Sequence, residues 1–416
     1  MKTLRLLAFT AALSASWLTV VAAGQTRFNT LYKFGGSPDG AAPQGLVAGP
    51  HGALYGATAY GGTSGYGTVF QLTPPSAPGE AWTETVLYRF TNYTNNGDGA
   101  NPFASPVVGA NGELYGTTSA GGDGLGTVYE LAPPAAPGGT WTETVLYTNY
   151  GELEQGYGLD RGVVVGAHGE LYSVTSSGGF YDNGVVFKVT PPETAGAAWT
   201  MSIVYDFPDA SDGKSPEGLS MGPGGVIYGT TSSGGSHGAG TVFALTPSAS
   251  LPGVLVQSVL YSFTGGADGA APSQPPVSTS GGILYGTTSG GGSAGRGTVF
   301  ELTPPAESGG TWTETVLYSF GNTGDGKLPD SPLTVHGGAI YGTTLTGTGS
   351  GNAGGSVFEL QQATPGGPWA EKALHNFAGQ AGPYGGLVID NSGALYGATT
   401  SGPGLDGAGT VYRVKP

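Results

Sequence analysis

Three charged residues, Arg161, Glu217 and Asp330, stand at the same distance ahead of a recurring tyrosine, each in a different copy of one internal motif. The equivalent residues of the other copies are Gln44, Ala104, Gln274 and Gly385, so five of the seven are polar or charged where a purely structural consensus would be uniform. Gathered into one ring, a guanidinium and two carboxylates could bind a polyol or set an acid beside a base. The same ring also reads as a solvated mouth whose charges neutralise one another.

The third copy departs most from the others. Its loops carry Tyr157, Asp160 and Arg161 in one segment and Tyr181 and Asp182 in another. Tyrosine rings can stack on sugar faces, and carboxylates can bond hydroxyls. The ligand-binding candidates are therefore Gln44, Tyr157, Asp160, Arg161, Tyr181, Asp182, Glu217, Gln274, Arg296 and Asp330. Glycoside hydrolysis would need two carboxylates at a set separation, for which Glu217 and Asp330 beside Arg161 are the candidates. Elimination would need a base and a cation, for which His237 or Tyr181 with Arg296 would serve. Drift in one copy explains the departure equally well.

Residues that repeat are better explained by architecture. Asp39, Asp98, Asp212, Asp268 and Asp325 each precede a glycine, a turn pair in which Asp bonds nearby backbone. Calcium is the functional alternative, but each loop offers a single carboxylate. Glu84, Glu143 and Glu314 are expected to face water, and Trp82, Trp141, Trp199, Trp312 and Trp369 to pack between repeats, although an exposed Trp could stack on sugar. His51 and His168 fall in turns on the opposite side of the molecule, His336 lies beside an equivalent turn, and His375 replaces a repeat tyrosine. The Gly-Gly strings precede no helix and so are turns, not phosphate loops. No metal or cofactor site is expected.

The elements that hold these residues follow from the repeat. Tyr55, Tyr115, Tyr172, Tyr228, Tyr285, Tyr341 and Tyr396 sit in Leu-Tyr-Gly-Thr-Thr or a near variant, spaced by 60, 57, 56, 57, 56 and 55 residues. In the copy around Tyr285, runs at 276–279, 283–289, 297–303 and 312–320 are separated by glycine turns and by Pro304-Pro305. Four short strands per unit predict an all-β, seven-bladed propeller of antiparallel sheets. The last copy lacks its fourth strand, and residues 28–34 match that strand elsewhere, so the N-terminal strand is expected to complete the blade of 387–414. Residues 24–416 then form one domain.

Met1 to Ala23 reads as a secretory signal peptide, with Lys2 and Arg5 ahead of an apolar run that ends in small residues. No further apolar segment of membrane length follows. A formal charge of −15 with no basic stripe argues against nucleic acid as a partner. With no cysteine, the fold uses no disulfides. A secreted, extracellular or periplasmic monomer is expected, with extracellular polysaccharide as the candidate partner.

Leu284 to Thr288, Gly297 to Leu302, and Trp312 with Val316 to Phe320 resemble the GloVer tandem repeat of secreted or surface-anchored bacterial proteins. The resemblance covers nearly all of the chain after its leader. It implies the propeller repeat but no particular activity, and the missing sorting segment implies a released form. Three functions remain open: glycan binding at the central mouth, polysaccharide cleavage there by hydrolysis or elimination, and a protein-interaction scaffold.

Overall fold

The computed structural model describes residues 27–416 apart from 78, 92–96, 123, 137, 153, 195, 252, 308, 323–324, 348–353, 380–381 and 402–406. The leader expected over residues 1–23 lies outside the described residues.

Seven antiparallel sheets follow one another along the chain, six of them with their strands in sequence order. Blades 1 to 6 span 41–89, 107–148, 164–206, 214–262, 277–319 and 327–376. Blade 7 spans 383–415 and takes its outermost strand from Arg27–Lys33, paired with Thr410–Lys415 from Arg27↔Lys415 to Lys33↔Thr410. This is the seven-bladed propeller the spacing predicts, closed by the strand the repeat comparison identifies. In blade 6 the innermost strand is split into Lys327–Pro329 and Thr334–His336.

The five-residue motif forms the second strand of each blade, and each residue in it has a packing reason. Leu284 is fully buried. The equivalent tyrosines take the preceding blade's side of an aromatic contact: Trp82 meets Tyr396 at 5.9 Å, Trp141 meets Tyr55 at 6.2 Å, and Trp199 meets Tyr115 at 6.3 Å. The tryptophans thus pack between blades. Gly286 pairs across the sheet with Phe300, whose ring edge lies where a Cβ would stand. The last threonine of each motif bonds its counterpart at the start of the third strand, as between Thr288 and Thr298 at 2.8 Å.

Aromatic pairs then join the blades. Phe34 meets Phe70 at 5.0 Å, Phe90 meets Tyr129 at 5.3 Å, Phe207 meets Phe243 at 5.4 Å, and Phe263 meets Phe300 at 5.1 Å. Phe320 with Phe358 at 5.3 Å and Phe377 with Tyr412 at 5.1 Å continue the series. Only the joint between blades 2 and 3 differs: Asn149 replaces the outer phenylalanine, and Tyr147 reaches Phe187 instead, at 5.8 Å. A bulge recurs where each outer strand meets the third, for instance between Val299 and Phe300 opposite Tyr318 and Val316. It brings the tyrosine round to the loop aspartate.

That packing makes the motif glycine sensitive to size. Gly286→Val should lower stability by about 2 kcal/mol, since a branched side chain must displace the Phe300 ring within a close-packed interface. Gly286→Ser should cost much less, because blade 3 already carries Ser173 opposite Phe187. Urea unfolding of the two variants measures the difference, and equal midpoints would contradict this account of the glycine.

Candidate functional site

The first residues of the innermost strands surround the central channel at one rim. Their backbone is held by the motif of the blade before. Thr117 Oγ1 donates to the Arg161 carbonyl at 2.7 Å, and Thr230 Oγ1 donates to the Gln274 carbonyl at 3.2 Å. Ser173 Oγ adds a bond to the Gly162 carbonyl at 3.0 Å. The repeat that builds the fold therefore also fixes the residues that break it.

A mouth cavity of about 190 Å³ is lined by Gln44, Ala104, Arg161, Glu217, Gln274 and Gly385, six of the seven ring positions, with Phe103, Asp160 and Tyr384 among the other walls. The seventh, Asp330, lies in the break of blade 6's innermost strand, close enough to Arg161 for each to feel the other's charge. Arg161 Nη2 donates to Glu217 Oε2, and Arg161 Nε stands 3.7 Å from Asp160 Oδ1, beyond hydrogen-bond reach. Gln44 is buried and spends its amide on the Ala42 carbonyl at 2.7 Å.

Burial pushes the Glu217 carboxyl above the usual range, with Arg161 and Ser232 pulling back. Burial likewise raises Asp330, against the pull of Ser273, Gln274 and Arg161. For Arg161, burial alone would weaken the charge, but Glu217, Asp160, Tyr384 and Asp330 outweigh it and hold the guanidinium charged. The Tyr384 phenol is raised by burial, with Asp330 adding and Arg161 opposing. Two polar atoms in the walls of this mouth are buried with no hydrogen-bond partner, Asp160 Oδ1 and Arg161 Nε. Such orphans are uncommon in folded proteins and costly to maintain. Chemically, the mouth presents acceptors and donors side by side to anything that carries hydroxyls.

The other candidates sit elsewhere. Tyr157, Tyr181, Asp182, His237 and Arg296 do not line this cavity. Tyr157 donates to Asp182 Oδ1 at 3.3 Å, and that carboxylate pushes the phenol's pKa up. Tyr181 is 49% exposed and packs edge-on to Phe180, itself 74% exposed. His237 is exposed beside Ser236 Oγ at 2.9 Å, and Arg296 donates to the Gly321 carbonyl at 3.3 Å.

Phe103, Ser273 and Tyr384 were missed from sequence. The signal was present: in blades 2, 5 and 7 the proline that opens the innermost strand (Pro102, Pro272, Pro383) stands one residue further from the motif tyrosine than Pro43, Pro216 and Pro329 do. The extra residue lines the mouth in blades 2 and 7, as Phe103 and Tyr384, whereas Ser273 of blade 5 lies against Asp330.

The loop aspartates act as turn anchors. Asp98 Oδ2 accepts from Tyr88 Oη at 3.0 Å and from the Thr91 amide at 2.9 Å, and Asp325 Oδ2 accepts from Tyr318 Oη at 2.9 Å and the Gly321 amide at 3.0 Å. Among the described residues no group of three or more His, Asp or Glu side chains is arranged to hold a metal ion. Glu84, Glu143 and Glu314 do not face water as expected. Each is half-buried with Oε1 unpartnered, because the outer strand turns that face towards the blade before it.

These features define a seven-bladed β-propeller with a polar mouth on its axis. The chain belongs to the Gloeobacter/Verrucomicrobia repeat family, whose pattern matches residues 17–152 and 217–416. The unmatched stretch, 153–216, holds blade 3 and the loop that delivers Asp160 and Arg161. No curated protein matches the sequence. Among solved structures, the chain is similar to a catalytically inactive H270A virginiamycin B lyase from Staphylococcus aureus, solved with quinupristin, at 12% identity. The match covers 94% of this chain and 100% of that one, with a TM-score of 0.54. It is also similar to a protein described as the extracellular domain of a one-component system from B. thetaiotaomicron, at 11% identity, 94% and 42% coverage and a TM-score of 0.53. An ulvan lyase of a polysaccharide lyase family matches at 12% identity, 91% and 95% coverage and a TM-score of 0.47. At such identities likeness speaks to the fold alone. Among the described residues no helix is long and apolar enough to cross a membrane.

Proposed function

We propose that the propeller is an exported binding protein whose central mouth takes a glycan or another neutral, hydroxyl-rich ligand. The observation that carries this reading is one small cavity walled by Gln44, Asp160, Arg161, Glu217, Gln274 and Tyr384, with Asp330 close enough beside it to share its charge with Arg161. A sugar offers hydroxyls that both donate and accept, so one ring can satisfy carboxylate oxygens and a guanidinium N–H together. On this reading residues 1–23 direct export and are then removed.

Cleavage of the bound glycan is the second reading, favoured by two carboxyls, Glu217 and Asp330, held above their ordinary range by burial. A carboxyl whose hold on its proton is strengthened by burial is better suited than an ordinary one to protonate a leaving oxygen.

One experiment addresses both. Glycan-array binding and a combined reducing-sugar and unsaturated-product assay are run on the native protein and on Asp330→Asn, which preserves volume and removes the charge. Retention of a glycan without turnover, weakened at least tenfold by Asp330→Asn, is expected, about the loss of one charge-assisted hydrogen bond. Turnover lost in Asp330→Asn would move the conclusion to the second reading. A protein that retains no glycan, or that binds equally well after the substitution, would defeat the proposal.

A further inference from the structure

Beneath the mouth the channel changes character. A second cavity of about 500 Å³ is walled by innermost-strand residues of blades 2 to 6, chiefly Val107, Val164, Val165, Met221, Val277 and Leu333. It adjoins the polar mouth, and the two share Val163, Leu219, Pro275 and Pro332 as walls. Val107, Val164, Val165, Met221 and Val277 are only half-buried, so their apolar surface faces this space. Water there finds few polar partners, and displacing it with hydrocarbon is favourable. The volume lies within the range of small-molecule sites.

From this juxtaposition we infer that the ligand is amphipathic: a hydroxyl-bearing head in the mouth with an apolar tail running down the throat, as in an alkyl or lipid glycoside. The inference rests on the mouth reading above and adds the tail. The head is neutral. Arg161 is already bonded to Glu217 and lies beside Asp160, and Asp330 stands close by, so three carboxyls face one cation and an anionic head is repelled. The throat alone would take any hydrocarbon. The mouth alone would take any sugar that fits. Together they select a molecule with both parts in tandem.

Calorimetric titration below the critical micelle concentration, with methyl, hexyl and octyl β-glucoside and with octyl sulfate, tests the inference. Each buried methylene should tighten binding about fourfold, so octyl glucoside should bind roughly tenfold or more tighter than hexyl. Octyl sulfate should bind far more weakly than octyl glucoside. Val277→Phe and, independently, Met221→Lys should remove the chain-length gain, with circular dichroism and melting temperature establishing that each variant is folded. A flat series, in which methyl glucoside binds as tightly as octyl, would overturn the tail while leaving the sugar-binding mouth intact. Octyl sulfate binding as well as octyl glucoside, with Asp330→Asn changing neither, would overturn the mouth and leave only a greasy channel. Absence of binding by every glucoside would overturn the inference outright.

Discussion

A chain that begins at Gly35, lacking the strand Arg27–Lys33 and Phe34, will not unfold in the single cooperative transition of the chain that begins at Gly24. The strand contributes the whole outer edge of blade 7, from Arg27↔Lys415 to Lys33↔Thr410. It also carries both halves of the ring's seam. Phe28 stacks on His375 of blade 6 at 3.7 Å and meets Phe377 at 5.7 Å, while Phe34, 6% exposed, packs on Phe70 of blade 1 at 5.0 Å. Removing a buried phenylalanine costs about 3–5 kcal/mol, and this deletion removes one fully packed ring, a second half-buried one and a strand's hydrogen bonds. The total is comparable to the whole stability of an ordinary domain, about 5–15 kcal/mol. The bared edge of Thr410–Lys415 would also template association. Expected results are a urea transition that is broad or already under way in buffer, and higher oligomers on size exclusion. A synthetic peptide of residues 25–35 should restore part of the transition. A shortened chain whose midpoint matches the longer one would refute closure by the N-terminal strand as a source of stability.

The repeat was legible because every copy solves the same packing problem. Tyr285, Gly286 and Thr288 recur since a blade must seat the next blade's outer edge, through a tryptophan in five of the seven cases, clear an aromatic ring and lock its third strand. The mouth was legible for the opposite reason: Arg161, Glu217, Gln274 and Asp330 vary where packing imposes nothing, and the structure puts them around or beside one cavity. Tyr384 escaped notice because counting back from the motif tyrosine lands on Gly385, and only the displaced Pro383 betrays the extra residue. Tyr181, Asp182, His237 and Arg296 illustrate a different limit. Strand order tells which rim a loop occupies but not how far it lies from the axis, and these four do not reach the cavity wall. Glu143 was misjudged because the alternation Thr-Glu-Thr looks like the wet face of an edge strand. In a propeller the blade before covers part of that face too.

Those glutamates give the molecule a pH dependence of unusual sign. Glu84, Glu143, Glu314 and Glu371 occupy one register position, opposite Leu72, Leu131, Leu302 and Leu360 of the third strand. Burial, followed by the charges of Asp39, Asp98, Asp268 and Asp325 respectively, lifts their carboxyls to about 7, about 8, about 7 and about 7, with Arg89 opposing the shift at Glu84. The same register position in blade 4 is Gln257, which accompanies Asp212. In blade 3, where Gln155 takes the aspartate's place and accepts from Tyr147 at 2.8 Å, the position is Met201. The site therefore suits a neutral side chain, and a protonated glutamate meets that need.

A carboxyl raised in the folded state binds its proton more tightly there than in the unfolded chain. Its stabilisation is complete below the unfolded value of 4.5 and is lost as pH climbs towards 7 or 8. Discounted for partial exposure, each group contributes about 1 kcal/mol, so four withdraw about 4 kcal/mol between pH 5 and 8.5. His375, lowered by burial, runs the other way, one group against four. Asp268 and Asp390, held low by hydrogen bonds that outweigh burial, lose their contribution only as pH falls through the acid range. The melting temperature should therefore be higher at pH 5.5 than at pH 8.5, by about 5 °C for a domain of this size. Glu143→Gln should raise the melting temperature at pH 8.5, leave it nearly unchanged at pH 5.5, and flatten the slope between them. A native protein that melts higher at pH 8.5, or a Gln variant with the native slope, would mean that these carboxyls are solvated and charged after all.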